Sequence, residues 1–328
     1  MADVAALAGV SSQTVSRVSN NQSNVTAETR DRVLSAMKTL DYRPNSAARA
    51  LKYGRFKSIG VIMFTLSTYG NQRTLDSIAL AAANAGYSIT LFPVNEATSA
   101  GLARAFAQLN EALVDGIVLV AEAELFDRTE LELPSRVPVV IADSTAGDRY
   151  AVVDADQTLG ATQAVEHLLS LGHETVHLIA GPRQAYSAVK REQAWKATLE
   201  RHDARVPAPY LGNWTTQSGY LCGLAIAEDP SVTAVFAAND QMALGALRAF
   251  HECGIKIPES ISIMGFDDID ESHSFWPPLT TIRQDFTAIG NTCVDILVKE
   301  IETREPIRGT TFIPTELIVR SSTGPLVR

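Results

Sequence analysis

The sequence predicts an all-α head followed by a larger α/β body built from two parallel sheets. Three observations predict it. Near the N-terminus, two short apolar-faced helical segments are parted by Gly9; from Lys57 onward, continuous apolar strands alternate with helical stretches. Charge also steps between the two regions. Residues 1–56 hold eight basic and four acidic side chains, a balance of +4, which leaves −13 for the remainder of a chain whose net charge is −9. A length of 328 residues with 46% hydrophobic side chains is enough for two or three folding units with sizeable cores.

In the head, Asp3–Ala8 reads as a short helix stopped by Gly9, a residue suited to the left-handed turn that ends helices. Ser11 suits the N-cap of a second helix, on which Val15 and Val18 share the inward face. Ser12, Gln13, Ser16 and Arg17 occupy the rest of its circumference. They combine short hydrogen-bonding groups with one long cation, which is the chemistry that reads base edges and phosphates. Two helices around a glycine-containing turn form a helix-turn-helix, whose second helix enters the DNA major groove. Thr26 then caps a third helix with Glu28 in its first turn. Its face of Val33, Met37 and Leu40 is expected to close a small core over Val4, Leu7, Val15 and Val18. Pro44 is expected to end that helix by forcing Arg43 out of helical geometry. The alanine-rich segment Ser46–Lys52 is too short to hold a helix alone, and composition leaves two readings of it. It is either a plain linker or a hinge that folds on DNA with Leu51 as a minor-groove wedge.

In the body, strands are expected at 58–64, 87–92, 116–120, 137–143, 175–180, 234–237 and 261–265, with helices at 75–85, 101–113, 159–171, 187–201, 217–227 and 241–253. Such parallel sheets bind ligands beyond the carboxyl ends of their strands. Asp143, Asn239-Asp240 and Asp267-Asp268 sit at those ends, joined by Arg191, Gln284 and Trp214. Singly, each acid reads as a helix cap. Together they form a set of bidentate hydrogen-bonders with one indole face, suited to a sugar.

The segments Val4-Ala5, Ala8-Gly9-Val10-Ser11, Thr14-Val15-Ser16-Arg17-Val18 and Asp41-Tyr42-Arg43-Pro44-Asn45 resemble the head of the LacI/GalR family of bacterial transcription regulators. The likeness extends through Ala180-Gly181-Pro182, Asn213-Trp214, Asn239-Asp240-Gln241-Met242 and Pro277-Pro278-Leu279-Thr280-Thr281. It implies a helix-turn-helix head at 1–44, a hinge at 45–56 and a periplasmic-binding-protein-like body at 57–328. The body would comprise one subdomain of about 57–156 plus 287–314 and a second of 157–286 plus 315–328, with three crossings between them. By the same resemblance, Ser12 and Gln13 set base preference. Thr14, Ser16, Arg17 and Asn20 contact bases and backbone, and Leu51 is the hinge wedge. The effector site carries over to Asp143, Ser187, Arg191, Trp214, Asn239, Asp267, Gln284 and Phe286, with Phe64 in the first subdomain's half. The implied function is a repressor of operator DNA released by a small sugar, a galactoside among the candidates. The chain departs from the family pattern at Ser12, Phe64 and Thr68, so neither operator nor sugar transfers directly. It also opens without the Thr cap that usually precedes the first helix. Its end at Ser321–Arg328 lacks a heptad-bearing tail, so a homodimer is expected.

Other classes fit less well. No G-x-G-x-x-G follows the first strand, Gly181-Pro182-Arg183 lacks a phosphate-loop Lys, and the six histidines show no metal-ligand spacing. No catalytic residue, cofactor or metal is therefore expected. A periplasmic-type sugar receptor would share the body but carry a signal peptide and no DNA-binding head. Cys222, Cys253 and Cys293 are expected to be buried reduced thiols in a cytoplasmic protein, and no segment reads as a membrane span.

Overall fold

Gly9 and Ser11 organise the N-terminal unit as their chemistry requires. In the computed structural model, which describes residues 1–19, 24–42, 55–94, 99–111, 113–121, 137–144 and 149–326, helix α1 (Ala2–Ala8) stops at Gly9 with φ 62°. The Gly9 N–H donates to Ala6 O and the Val10 N–H to Ala5 O, closing the helix end. Helix α2 (Ser12–Ser19) begins where Ser11 Oγ accepts the Thr14 N–H at 3.2 Å. Helix α3 (Ala27–Thr39) is capped by Thr26, whose side chain accepts the Thr29 N–H. Val4, Ala5, Ala8, Val15, Val18, Val33, Ala36 and Met37 make one buried cluster, with Val10, Val25 and Tyr42 packed against it.

Two expectations for this core are corrected. Leu7 and Leu40 are exposed. At 100° per residue, Val4, Ala8 and Ala5 span the buried arc of α1 and Leu7 falls beyond its edge. Leu40 is already the C-cap, with non-helical ψ. The end of α3 also differs. The helix stops before Pro44 is reached, because Asp41 turns left-handed at φ 44° and the Tyr42 N–H reaches back to Met37 O at 2.8 Å. A short polar side chain tolerates that conformation. Arg43 and Pro44 lie outside the described residues, as do Asn20 and the hinge segment with Leu51.

The chain divides into two compact units, Met1–Phe56 and Lys57–Arg328. The second contains two six-stranded sheets. The first sheet is built from β1 (Ser58–Met63), β2 (Ser88–Pro93), β3 (Gly116–Val120), β4 (Val139–Ala142), β5 (Ala151–Ala155) and β11 (Gly309–Ile313). Its order is β11-β5-β4-β3-β1-β2, and every pair is parallel. The second uses β6 (His177–Ala180), β7 (Tyr210–Leu211), β8 (Ala234–Ala237), β9 (Ser262–Asp267), β10 (Thr280–Arg283) and β12 (Glu316–Ile318) in the order β12-β10-β9-β8-β6-β7. Here β12 runs antiparallel to β10, so this sheet is not wholly parallel. In both sheets the first strand of the lobe lies inside the second, which reverses strand order and opens a crevice beside it.

Helices α4 (Tyr69–Asn84), α5 (Ser99–Glu111), α6 (Gln157–Ser170), α7 (Tyr186–Arg201), α8 (Thr216–Ala227), α9 (Asp240–Glu252) and α10 (Phe286–Thr303) cover the faces. The chain passes between lobes three times. Asp156 follows β5, caps α6 by accepting the Leu159 N–H at 2.8 Å, and donates its own N–H to Ile313 O. Asp285 follows β10 and caps α10 through the Ala288 N–H at 2.8 Å. Thr315 makes the last passage, its hydroxyl donating to Asp156 O at 3.4 Å. After the second passage, α10 returns to the first lobe and packs on α4, β3, β4 and β5.

Cys222 and Cys293 are buried and free, but Cys253 is exposed, because it is the C-cap of α9 and lies past the helix's buried face. His167 and His173 are satisfied. His167 Nε2 lies 2.9 Å from Thr323 Oγ1, and His173 bridges Thr233 and Ser262. Buried His177 differs, since neither ring nitrogen has a hydrogen-bond partner among the described residues. Burial holds the pKa of all three imidazoles below the ordinary value of 6.5. The unfolded chain therefore takes up these protons first, and stability falls as pH drops below 6.5. Replacing His177 by leucine removes one of those groups and two orphaned nitrogens. We expect a gain of about 1 kcal/mol at pH 7 and a shallower loss of melting temperature between pH 7 and pH 5. An unchanged acid slope would show that His177 does not contribute. Among the described residues, no helix is long and apolar enough to cross a membrane.

Candidate functional site

The C-terminal ends of the two sheets enclose a cavity of about 390 Å³, within the range of small-ligand sites. Its one cation among the described residues is Arg191. Ser187 and Arg191 lie four residues apart on α7 and so project from one face. The guanidinium is buried, with Nε donating to Gln157 Oε1 at 2.8 Å and Nη1 donating to Ala238 O at 2.5 Å. Nη1 also stands 3.6 Å from Asp267 Oδ1. The Phe266 ring lies beneath it at 3.7 Å, with the Trp214 ring at 5.6 Å. The network then continues through amides, as Gln157 Nε2 donates to Gln284 Oε1 at 3.2 Å and Gln284 Nε2 donates to Asp267 Oδ1 at 2.7 Å. Burial pushes the Asp267 carboxyl up to about 6, restrained by Arg191 and Gln284, while burial lowers the Arg191 pKa against the pull of Asp267.

Three lining residues take left-handed backbone: Asp143 at φ 56°, Trp214 at φ 70° and Asp267 at φ 114°. Each such residue costs on the order of 1–3 kcal/mol and persists where surrounding structure enforces it. The Trp214 ring is laid flat over Gly181. A Cβ on Gly181 would lie 2.4 Å from Trp214 Cη2, so the indole's seat requires glycine. Asn239 caps a helix and also lines the cavity. Its Oδ1 caps α9 through the Met242 N–H at 2.9 Å, its Nδ2 donates to Trp214 O at 3.0 Å, and it borders the cavity. From the first lobe, Phe286 opens α10 and meets Tyr69 edge-to-face at 5.9 Å.

Asp143, Ser187, Arg191, Trp214, Asn239, Asp267, Gln284 and Phe286 thus converge on one cavity. Phe64 does not join them. Strand alternation turns Ile62 and Phe64 to the side of the first sheet carrying Phe106, where Phe64 packs among core residues. The neighbours of two strand-end residues also face elsewhere. Asp240 is fully buried beneath the cavity, accepting from the Ile269 N–H at 2.9 Å and from the Ser272 and Thr281 hydroxyls at 2.6 Å each. Burial, with Asp267 adding to it, pushes the Asp240 carboxyl up to about 7. Asp268 pairs outward with Arg283 at 2.8 Å and Arg320 at 2.6 Å.

Sequence reasoning missed Asp154, Gln157, Tyr69, Asn71 and Thr74, all of which border the cavity. The signal for Asp154 was present: it is the one polar residue in the strand Ala-Val-Val-Asp-Ala. Tyr69, Asn71 and Thr74 occupy the first turns of α4, which begins six residues before the expected start at Leu75. Those turns face the cavity and so lack the apolar period that marks a helix.

On the head, Val15 and Val18 are buried in α2 while Ser12 and Gln13 are exposed and Ser16 and Arg17 half-buried. Thr14 Oγ1 lies 3.0 Å from Ser11 Oγ, so its hydroxyl already serves the helix cap.

Comparison with known proteins gives two family matches. Residues 1–45 match the model described as bacterial regulatory proteins, lacI family, and residues 165–323 match a periplasmic binding protein-like domain. The chain is 34% identical over 323 residues to the lactose operon repressor of Escherichia coli (strain K12), covering 98% of this chain and 89% of that protein. It is 32% identical over 329 residues to the HTH-type transcriptional repressor PurR of Histophilus somni (strain 129Pt), covering 99% and 98% respectively. Among solved structures, the lac repressor dimer bound to operator and the anti-inducer ONPF superposes with a TM-score of 0.89 at 34% identity, covering 98% of each chain.

Proposed function

The chain belongs to the LacI family of bacterial regulatory proteins, and from that premise we propose that it is an operator-binding repressor released by a small sugar held between its body lobes. The observation that carries this reading is the convergence of Asp143, Arg191, Asn239, Asp267 and Gln284 around Trp214 in one cavity, in a chain whose α2 presents Ser12, Gln13, Ser16 and Arg17 outward. Carboxylates and amides chelate vicinal hydroxyls, and an indole face takes the apolar side of a pyranose. In the DNA complex Ser12 and Gln13 read base edges, while Thr14, Ser16, Arg17 and Asn20 fix the helix in the groove.

Two protomers place two such helices on the half-sites of a near-palindrome; the lac repressor structure it resembles is an operator-bound dimer. Residues 45–56 form the hinge, with Leu51 as the wedge in the central minor groove. The sugar prefers one angle between lobes, and its differential affinity for the two angles is all it can contribute to DNA release. Titration of the full chain with palindromic duplexes at low salt, with and without a panel of sugars, tests the reading. Absence of specific binding to every duplex would end it. Leu51→Ala is expected to weaken specific operator binding at least tenfold and leave sugar affinity unchanged; wild-type operator affinity in that variant would remove the wedge.

A further inference from the structure

The cavity's charge balance points beyond a generic sugar. Its charged lining among the described residues is three carboxylates, Asp143, Asp154 and Asp267, against the single cation Arg191. That cation is already committed within the protein, to Gln157 Oε1, to Ala238 O and toward Asp267, with Phe266 closing one face. Asp154 stands at the end of β5, only 2% exposed, with Gln157 and Tyr186 as side-chain partners. No helix cap or surface ion pair among the described residues uses it, unlike Asp268, which pairs with Arg283 and Arg320.

Resting on the reading above, we propose that Asp154 is a specificity-determining residue and that the effector is an uncharged sugar, with phosphorylated and carboxylated sugars excluded. An anionic substituent entering this cavity meets an excess of negative groups in a medium where charges act at low effective dielectric. Arg191 would have to divide its charge between that group and Asp267, since its Nε and Nη1 are already committed to Gln157, Ala238 O and Asp267. A hydroxyl costs neither. It donates to a carboxylate oxygen and accepts from an amide, and Asp154 supplies the acceptor on the first-lobe side. Burial pushes the Asp154 carboxyl up to about 7, against its hydrogen bond to Gln157 and the charge of Arg191.

The test uses full-length protein and matched sugars: galactose, galactose 6-phosphate and galacturonate; glucose, glucose 6-phosphate and glucuronate; ribose and ribose 5-phosphate. Calorimetric titration is run with each, in the wild type and in Asp154→Asn, with operator binding as the check that the variant folds. The proposal expects at least one neutral sugar to bind, its anionic partners to bind about 100-fold more weakly or worse, and that gap to narrow about tenfold or more in Asp154→Asn. An anionic sugar binding the wild type as tightly as its neutral parent overturns the proposal and leaves the sugar-effector reading standing. A gap unchanged in a variant that still binds operator removes Asp154 from the account. No binding by any sugar in the wild type fails both, with the operator assay showing whether the repressor reading survives. Because the wild-type series stands alone, a variant that fails to fold still leaves the exclusion tested.

Discussion

Gly245→Ala is expected to destabilise the body by about 3 kcal/mol, the upper part of the range for overpacking a close contact. Helices α8 and α9 approach so closely that a Cβ on Gly245 would lie 2.0 Å from Thr216 O and 2.5 Å from Tyr220 N. These are backbone atoms and cannot swing aside, so the helices must part. The reciprocal contact is as tight, since a Cβ on Gly219 would lie 2.1 Å from Met242 O. Trp214 precedes α8 and Asn239 caps α9, so parting the pair should also weaken ligand binding. The control is Gly254→Ala. Gly254 has φ +73° but nothing within 4 Å of a built Cβ, so alanine there meets only the left-handed penalty of about 1 kcal/mol. Urea denaturation of both variants decides the matter. Equal losses would show that the helix contact is looser than the structure places it.

Arg191→Ala should abolish the ligand response and lower stability by about 3–5 kcal/mol, because it strands buried Asp267 without its cation. The pH dependence follows from the same carboxyl. Its folded pKa is raised to about 6 from 3.8 even with Arg191 present, and losing the guanidinium raises it further. A carboxyl raised on folding stabilises the protonated state. The variant is therefore most nearly rescued at low pH, and its deficit against the wild type grows as pH rises above about 6, where wild-type Asp267 ionises beside Arg191 and the variant's carboxyl does not. Adding Asp267→Asn should restore much of the stability and none of the ligand binding. A single variant that melts like the wild type at pH 7 would contradict the buried pair.

Much of this was legible in the residues because local chemistry decided it. Gly9 had to be left-handed, Ser11 and Thr26 had to cap, and apolar runs such as Ile117–Val120 had to be buried strands. The convergence of eight positions on one cavity was legible through family resemblance and strand-end polarity together. Phe64 was not, because strand parity beyond Met63 decides its direction and a single aromatic gives no sign of parity. The start of α4 was hidden for a related reason. A helix turn that faces a polar cavity carries polar residues and reads as loop. Strands β5, β7, β10, β11 and β12 are short or mixed in polarity, and α10 joins the first lobe only through a crossing that sequence order conceals. Asp154 illustrates the general case. One acid in an otherwise apolar strand is the residue that hydrophobic pattern matching discards, and it stands in the cavity.

The three interlobe passages have a mechanical consequence. The strap at Asp156 and the strap at Thr315 are tied to each other by the Asp156 N–H on Ile313 O and the Thr315 hydroxyl on Asp156 O. They behave as one ribbon, and the strap at Asp285 stands as the second. Two anchor lines permit a door to swing about the axle they define, but resist sliding and shearing of its leaves. A molecule held between the leaves would therefore act on a single coordinate, the angle, through its unequal hold on the open and closed settings.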